Sequence, residues 1–405
     1  MSGSIHREEE TADRAAKVAE EMRDLARRAY EHFRNKTTDQ AESLMQLPVA
    51  AYRDDERYRR EFGRIFTRLP LGLALSVELP EPGSYLARTI LNKPVLLTRD
   101  ERGDIRSFLN VCRHRGAILC PDGAGKKSRF VCPYHSWAFA ADGELLRVNA
   151  AGTFGDVDKA ALGLTPLPCA EKSGVIWVAL DPDANFDIDD WLGEFCGKLD
   201  SLDLSNWYLY EQRDLPGPGW KVTLDGYLEV YHHDTVHGKT VGKHTVGNLL
   251  VHDTYGPHQR LTFGRKTLDE LDPDDGQGWD GSQYIRIVHS VFPNLSISGI
   301  VGGHCLVSQV FPGDSPDSTV TRQTLLCARK PESEADKRAA EEFSAMTLQA
   351  VRDEDYVIGY SIQRALHAGA NTHFVIGRNE PGVQHYHQWV ARFMQHNSNK
   401  IWAKG

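Results

Sequence analysis

Apolar residues recur at helical spacing near the start of the chain. Ala15, Val18, Ala19, Met22, Leu25, Ala26 and Ala29 stand among charged residues, which predicts an amphipathic helix over residues 8–34. Such a stripe either packs on the chain's own domain or binds a partner. A second helix is predicted around Asp54–Phe66, entering the proline-containing run LPLGLALSVELPEPG. From there to about residue 165 the texture changes. Short β-rich runs such as SYLARTI and PVLLTRD alternate with Gly, Pro, Asn and Asp signals. GVIWVAL at 174–180 is a further buried-strand candidate.

Beyond residue 200 the pattern is mixed. DLPGPG at 214–219 is a turn-rich hinge, and WKVTLDGYLEVYHHDTVH after it reads as one helix. Strand-like runs follow in YIRIVHSVF, LSISGIV, HCLVSQVF and VTRQTLLCA. A long helix closes the pattern from Glu334 to Leu366, split near its middle. Strands followed by packed helices in one region predict an α+β domain after a small all-β one.

Two short clusters, Cys112-x-His114 and Cys132-x-x-His135, carry the first chemistry. Each supplies one thiolate and one imidazole from a turn. Two cysteines and two histidines in this order suit a [2Fe–2S] centre with the thiolates on one iron and the imidazoles on the other, a Rieske centre. Zinc is the competitor, but a Cys₂His₂ finger sets its cysteines together and then its histidines, with a helix between. Here the intervening PDGAGKKS is turn-like. Cys120 lies in the first loop, but the second loop has Tyr134 where a disulfide partner would stand, so the low-potential, oxygenase type of cluster is expected. Cys120, Cys169, Cys196, Cys305 and Cys327 read as buried small hydrophobes.

The chain has 405 residues, 25% of them charged, and no apolar run long enough to span a bilayer. A formal charge of −9 argues against a nucleic-acid partner. The start, MSGSIHREEETADR, has no apolar stretch of a secretory signal. Seven cysteines, four isolated or in a metal pattern, resemble no disulfide framework. The expected location is the reducing cytoplasm. The acidic loop DELDPDDGQGWDG at 269–281 lacks a complete calcium-loop pattern and reads as solvated.

The segment Asp225–Gly238 suggests a second metal site. A 2-His-1-carboxylate triad holds non-heme Fe(II) on one face and leaves positions open. His232 and His237 could share a metal if the helix ends or bulges between them, and Gly238 permits an end. His233 is a rival that reads as outward-facing. The run VRDEDYVIGYSIQ offers Asp353, Glu354 and Asp355 as carboxylates. Taken alone, acids on a late helix read as a solvated face.

Taken together, the chain resembles the large (α) subunit of the Rieske non-heme iron oxygenases, the ring-hydroxylating oxygenases. The resemblance covers nearly the whole chain: ELPEPGSYLARTI, the cluster motif, SGVIWVALDP, GWKVTLDGYLEVYHHDTVH, VFPNLSISG, RDEDYVIGYSIQRAL and GRNEPGVQHYHQWVARF. It implies an α+β chain with an N-terminal all-β Rieske [2Fe-2S] domain and an α+β catalytic domain whose antiparallel sheet is flanked by helices. The expected division is an N-terminal helical segment, 1–45, packing on the catalytic domain, then 46–170 and 171–405. It implies that Cys112 and Cys132 bind one cluster iron, and His114 and His135 the other. His232 and His237 resemble the ligands of the mononuclear iron, with Asp355 the best match for the carboxylate and Asp353 the runner-up. Glu229 occupies the position of a bridging acid that hydrogen-bonds a cluster histidine, His135 by position, of the neighbouring subunit. The family usually has Asp there, and a minority of members acting on quaternary amines have Glu. Asp225 stands where Asn is common. It would share a helical face with Glu229 at i,i+4, either as a structural group or tuning the iron site.

The resemblance further implies a head-to-tail homotrimer, since cluster and iron of one subunit are too far apart for fast electron transfer. Electrons would come from NAD(P)H through a separate reductase, possibly with a ferredoxin, because this chain has no dinucleotide fingerprint. O2 would be inserted into a small substrate. Apolar candidates for the pocket are Leu224, Tyr227, Val236, Leu249, Val251, Phe263, Val291, Phe292, Leu295, Ile297 and Val301, which favour a hydrophobic or aromatic substrate, hydroxylated or dihydroxylated. Arg260, Arg265, Arg286 and His304 could recognise a carboxylate. The Glu at the bridge points to the alternative, N- or O-demethylation, for example of an amine. An electron carrier without oxygenase activity, or a dead assembly subunit, would leave His232, His237 and Asp355 unexplained.

Overall fold

Period-two alternation of apolar and polar residues builds the sheets of this chain, and every strand pair in them is antiparallel. The computed structural model describes residues 2–272, 279–301 and 303–395. The central element is a seven-stranded antiparallel sheet. Its strands run, in spatial order, Tyr208–Gly217, Thr319–Cys327, His304–Pro312, Leu295–Val301, Ile285–Val291, His258–Arg265 and Thr245–Tyr255.

The cluster region is all β. A four-stranded sheet orders Ile105–Leu109, Lys93–Arg99, Ser84–Ile90 and Gly123–Lys126. A three-stranded sheet of Arg129–Val131, Ala138–Ala140 and Leu145–Arg147 adjoins it. Its own core gathers Leu96, Phe108, Phe130, Trp137, Phe139 and Leu145 around Cys112 and Cys132. A third sheet pairs Val175–Val178 with Cys169–Lys172 and with Leu71–Leu75. This sheet joins the large core, where Leu71, Leu73 and Trp177 meet Leu295 and Val310. Gly72 sits against that seam: a Cβ there would come within 3.0 Å of Leu295 Cδ2. Its amide donates to Asn294 Oδ1 at 3.1 Å, and its carbonyl accepts from Gln309 Nε2 at 2.8 Å.

The N-terminal helix spans Ser2–Asn35. Leu25, Ala26 and Ala29 are buried against Leu249, Val251 and Ile285 of the seven-stranded sheet, while Ala15 and Ala19 are exposed. Residues 46–66, assigned above to the β domain, find their partners in the second half of the chain. The strand Met45–Pro48 pairs with His373–Ile376, and Val49, Ala51 and Tyr52 pack on Val222 and Leu366. Local pattern fixes a helix and its apolar face but not which domain covers it.

The segment expected as one helix after residue 219 breaks in two. Trp220–Tyr227 is helical, the chain opens at Leu228, and a single turn follows at His233–Val236. The closing helix is split as expected, and the split is a π-helix: Glu334–Leu348 runs into Gln349–Asp355 and then Tyr356–Ala365. Such wide turns re-aim side chains and recur at functional sites. Residues 273–278 of the acidic loop lie outside the described residues. All seven cysteines are free; Cys169 and Cys196 are half-buried rather than buried. Among the described residues, no helix is long and apolar enough to cross a membrane.

Candidate metal centres

Cys112 and Cys132 begin two turns of the same build. The Gly116 amide donates to Cys112 O at 2.9 Å, and the Ser136 amide to Cys132 O at 3.0 Å. Each cysteine's own amide then reaches across its loop, to Ala117 O at 2.8 Å and to Trp137 O at 2.7 Å. The fifth residue of each turn is left-handed, with φ +76° at Gly116 and +58° at Ser136. Serine rarely adopts this conformation, and such strain concentrates where a structure over-determines its backbone.

These turns aim four donor atoms at one place. The Cys112 and Cys132 thiols face each other; burial, with the second thiol beside it, pushes the Cys112 thiol up. The rings of His114 and His135 lie 4.7 Å apart between centroids. Nδ1 of each is buried and has no hydrogen-bond partner among the described residues. A buried imidazole nitrogen without a partner costs free energy unless something coordinates it. Two thiols and two such nitrogens fit the mixed ligand set of a Rieske cluster. Trp137 stacks on His114 at 5.0 Å, which fixes that ring's plane.

The second centre forms where the broken helix meets the π-helix. His232 caps the start of the turn His233–Val236 and His237 caps its end. This termination between the histidines brings their Nε2 atoms within 3.1 Å. Asp355, last residue of the π-helix, sets Oδ1 3.0 Å from His237 Nε2 and 3.5 Å from His232 Nε2. Asp353 points away and pairs with exposed Arg352 at 2.6 Å.

Carboxylates decide which nitrogens face inward. An ionised carboxylate only accepts, so Nδ1–H of His232 donates to Glu229 Oε1, and Nδ1–H of His237 donates to Glu354 Oε2 at 2.7 Å. Both Nε2 lone pairs therefore converge with Asp355 Oδ1. With both rings neutral these are three acceptors about 3 Å apart, matching cis ligands of a metal ion with bonds of roughly 2.1 Å; without a cation, a proton takes that place. Burial opposes a charge on His232, yet Asp355 and Glu229 outweigh it and push that imidazole up to about 10. Burial also opposes the Asp355 carboxylate, which the two histidines nevertheless hold below its usual range. This surplus of negative charge is what a dication would neutralise.

Residues 71–162 match the family model of the Rieske [2Fe-2S] domain, and residues 204–396 that of the ring hydroxylating alpha subunit catalytic domain. The chain belongs to the Rieske oxygenase alpha subunits.

Among curated relatives of this oxygenase, the chloroplastic choline monooxygenase of Beta vulgaris is 28% identical over 87% of this chain and 78% of that protein. The glycine betaine monooxygenase oxygenase subunit of Chromohalobacter salexigens is 33% identical over 47% of this chain and 43% of that protein. Among solved structures, a quaternary ammonium Rieske monooxygenase in complex with L-carnitine superposes with a TM-score of 0.75 at 23% identity, covering 88% of this chain and 97% of that one. Naphthalene 1,2-dioxygenase from Rhodococcus sp. bound to indole gives 0.72 at 21% identity, over 93% and 99% of the two chains. At these identities the structures show a shared fold.

Within the Rieske oxygenase fold, Glu229, His232 and Asp355 form part of a wall between two hollows. Inside is a cavity of about 450 Å³ lined by Phe263, Leu306, Phe343 and Met346; outside is a groove of about 350 Å³ lined by Val222, Ile358, Ile362 and Val375. His233 faces inward rather than outward. It is buried, packs on Phe263 at 5.3 Å, and burial beside His232 and His237 pushes its pKa down to about 3.

Of the apolar candidates, Tyr227 and Phe263 line the cavity and Val236 the groove. Leu224, Val291, Phe292, Leu295 and Ile297 belong to the main core, and Leu249 and Val251 to the core under the first helix. Strand alternation sends the strand residues among them to the opposite face, while Leu224 lies on the helix Trp220–Tyr227 and Phe292 follows a strand's end. The Val301 side chain lies outside the described residues. Arg265 and Arg286 line the cavity; Arg260 is paired with Asp253 and Glu21, and His304 stacks on Phe343.

Asp225 does not share a helical face with Glu229, because the helix stops at Tyr227. Its carboxylate accepts instead from Tyr52 Oη at 2.5 Å and meets His387 Nε2 at 2.8 Å. Sequence reading missed Glu354 as the partner of His237, and Tyr52 and His387 as partners of Asp225. Only Glu354 left a signal, as an acid beside the expected ligand.

Proposed function

We propose that this chain is the terminal oxygenase of a multicomponent system that N-demethylates an amine substrate, with Cys112, His114, Cys132 and His135 holding the cluster. His232, His237 and Asp355 hold the mononuclear iron. Likeness to choline monooxygenase over 87% of the chain, with Glu229 at the bridging position, carries this reading over aromatic hydroxylation. The glycine betaine relatives point the same way.

Bound at the triad, Fe(II) would supply oxygen activation. The residues around it position and protect that chemistry. Glu229 and Glu354 hold the two imidazoles in one tautomer and one orientation. The apolar lining from Phe263, Leu306 and Met346 keeps bulk water from the substrate. The balance is one N-methyl group, O2, two electrons and two protons giving an N-hydroxymethyl group and water. The hydroxymethyl group then leaves as formaldehyde.

Electrons reach the site through Glu229 in this reading. A carboxylate offers about four lone-pair sites. Three are taken, by the amides of Tyr231 and His232 and by His232 Nδ1–H. The fourth can accept from His135 of a neighbouring copy across the outer groove. Arg115 now lies 2.9 Å from His135 Nε2 and would swing aside. Exposed Tyr134 and Phe154 near the cluster, and Ile358 and Val375 at the groove, are the apolar surfaces such a head-to-tail trimer would cover. In this reading the NAD(P)H-dependent reductase is a separate protein, and the unpaired cysteines support a reducing compartment such as the cytoplasm.

Aromatic hydroxylation is the second reading, favoured by the apolar lining and by a relative named anthranilate 1,2-dioxygenase large subunit, from Acinetobacter baylyi, 29% identical over 46% of this chain. The test supplies the loaded enzyme with a surrogate reductase and NADH, and offers glycine betaine, L-carnitine, choline, benzoate and naphthalene. Formaldehyde formed in step with O2 uptake from an amine supports demethylation. Ring hydroxylation without formaldehyde overturns it.

A further inference from the structure

Arg265 ends the strand His258–Arg265, and Arg286 lies near the start of its neighbour, Ile285–Val291. Their register sets Phe263 opposite Arg286 and Gly264 opposite Ile285. Side chains alternate along a strand, so Phe263, Arg265, Arg286 and Val288 share one face. That face walls the cavity beside His232, His237 and Asp355, and all four residues line it.

Each guanidinium is anchored through one nitrogen only. Arg265 Nη1 donates to Gln283 O at 2.6 Å. Arg286 Nη1 donates to Ser282 O at 2.8 Å and Ile285 O at 2.7 Å. Nε and Nη2 of both have no hydrogen-bond partner among the described residues, and neither arginine forms an ion pair with one. The acids lining the cavity, Glu229 and Asp355, are engaged by the two histidines. Two like charges on one wall, half-buried and without a counter-charge among the described residues, are unfavourable. Burial, with Arg265 beside it, pushes the Arg286 guanidinium down to about 10. Arg260 shows the contrast: equally placed on a strand, it is closed off by Asp253 and Glu21.

We propose that Arg265 and Arg286 form an anion-binding end of the substrate cavity, and that the substrate carries a carboxylate held there while its N-methyl group lies at His232, His237 and Asp355. This rests on the oxygenase reading above and narrows its substrate to an N-methylated amino acid or betaine. Planar guanidiniums present paired N–H donors that match a carboxylate, and displacing water from a half-buried site strengthens the pairing. A neutral isostere would leave those donors unpaired and be rejected.

Matched ligand pairs test the charge alone. Binding of glycine betaine against choline, and of benzoate against benzamide, is measured by calorimetry on the full-length, iron-loaded protein. The variants Arg265→Gln, Arg286→Gln and Arg286→Lys are measured alongside. The expected result is a carboxylate preference of tenfold or more in at least one pair. Both Gln variants abolish it, and Arg286→Lys retains part of it. Melting temperature and iron content separate loss of the anion site from loss of the fold, and the wild-type preference stands as a test if a variant fails to fold. No preference in either pair, preference for the neutral or cationic member, no binding of either carboxylate at millimolar concentration, or a preference that survives both Gln variants overturns the proposal. Wild-type protein with iron in both centres but no carboxylate preference refutes the anion site alone. Protein that cannot retain the mononuclear iron refutes the oxygenase reading beneath it.

Discussion

His237 Nε2 lies 3.0 Å from Asp355 Oδ1, and its Nδ1 lies 2.7 Å from Glu354 Oε2, which holds the neutral ring's proton on that side. The proton on Nδ1 is what makes Nε2 a ligand. Glu354→Gln keeps the size of the side chain but no longer selects that tautomer, since an amide can donate as well as accept. The expected outcome is a 10–100-fold weaker hold on mononuclear iron, read by titration with a chelator, while the cluster's visible absorption is unchanged. Unaltered iron affinity would remove Glu354 from the account.

Glu229 is tied to His232 on one side and exposed to the outer groove on the other. Because Glu229 also orients His232, Glu229→Gln is compared with the mononuclear site kept saturated by added Fe(II), where it should keep normal reduction of the cluster by the reductase. Turnover should fall by about a hundredfold or more, the loss expected when a positioned connection between two sites is cut. Stopped-flow oxidation of the reduced cluster in the presence of substrate reads this step. A variant that reoxidises its cluster at the wild-type rate would show that electrons take another route.

A second consequence concerns acid. His258 is fully buried, with Nε2–H donating to Trp191 O at 2.8 Å and Nδ1 accepting from the Phe292 amide at 3.2 Å. Burial pushes its pKa down to about 4, and pushes those of His289 and His385 down to about 3. The unfolded chain binds protons at these groups from roughly pH 6.5, earlier than the folded chain does. Their contribution is therefore complete above pH 6.5 and is lost as pH falls toward 4, at up to about 1.4 kcal/mol per pH unit for each histidine. Urea midpoints should fall steeply between pH 7 and 5, and less steeply in His258→Gln. Parallel slopes in the two proteins would contradict the assignment.

Lys221 and Glu61 form a buried pair, with Arg57 closing the other carboxylate oxygen at 2.8 Å. Glu61→Leu leaves the ammonium with the Ala51 carbonyl and the Trp220 ring but no carboxylate in direct contact among the described residues, at an expected cost of roughly 3–5 kcal/mol. Adding Lys221→Met should recover most of that loss in a denaturant titration. Failure of the double variant to recover would mean that the pair is not isolated from its neighbours.

The cluster was legible in the sequence because its ligands lie in two local turns, Cys112–Gly116 and Cys132–Ser136, where spacing alone implies geometry. The strands of the large sheet were legible for the same reason: alternation is local. The mononuclear site was only half legible. His232 and His237 could be paired once the chain was taken to end its helix at Gly238, but choosing among Asp353, Glu354 and Asp355 depends on a π-helix that no local pattern announces. The cavity was the least legible part. Leu295 and Ile297 look the same in sequence as Phe263, yet they sit on the other face of the sheet, away from the cavity. Which face becomes a cavity is decided by what packs over it. The break at Leu228 likewise came from tertiary context, and it moved Glu229 off the helical face it would have shared with Asp225.

The account stands on two separate metal centres in one chain. The direct measurement is iron and acid-labile sulfide per chain, with low-temperature EPR of the dithionite-reduced protein, for the wild type and Asp355→Ala. The account predicts about three irons and two sulfides in the wild type, and about two irons and two sulfides in the variant, with the same rhombic, low average-g signal in both. Equal iron in both proteins after Fe(II) reconstitution, or a wild type that holds zinc and no sulfide, would contradict it.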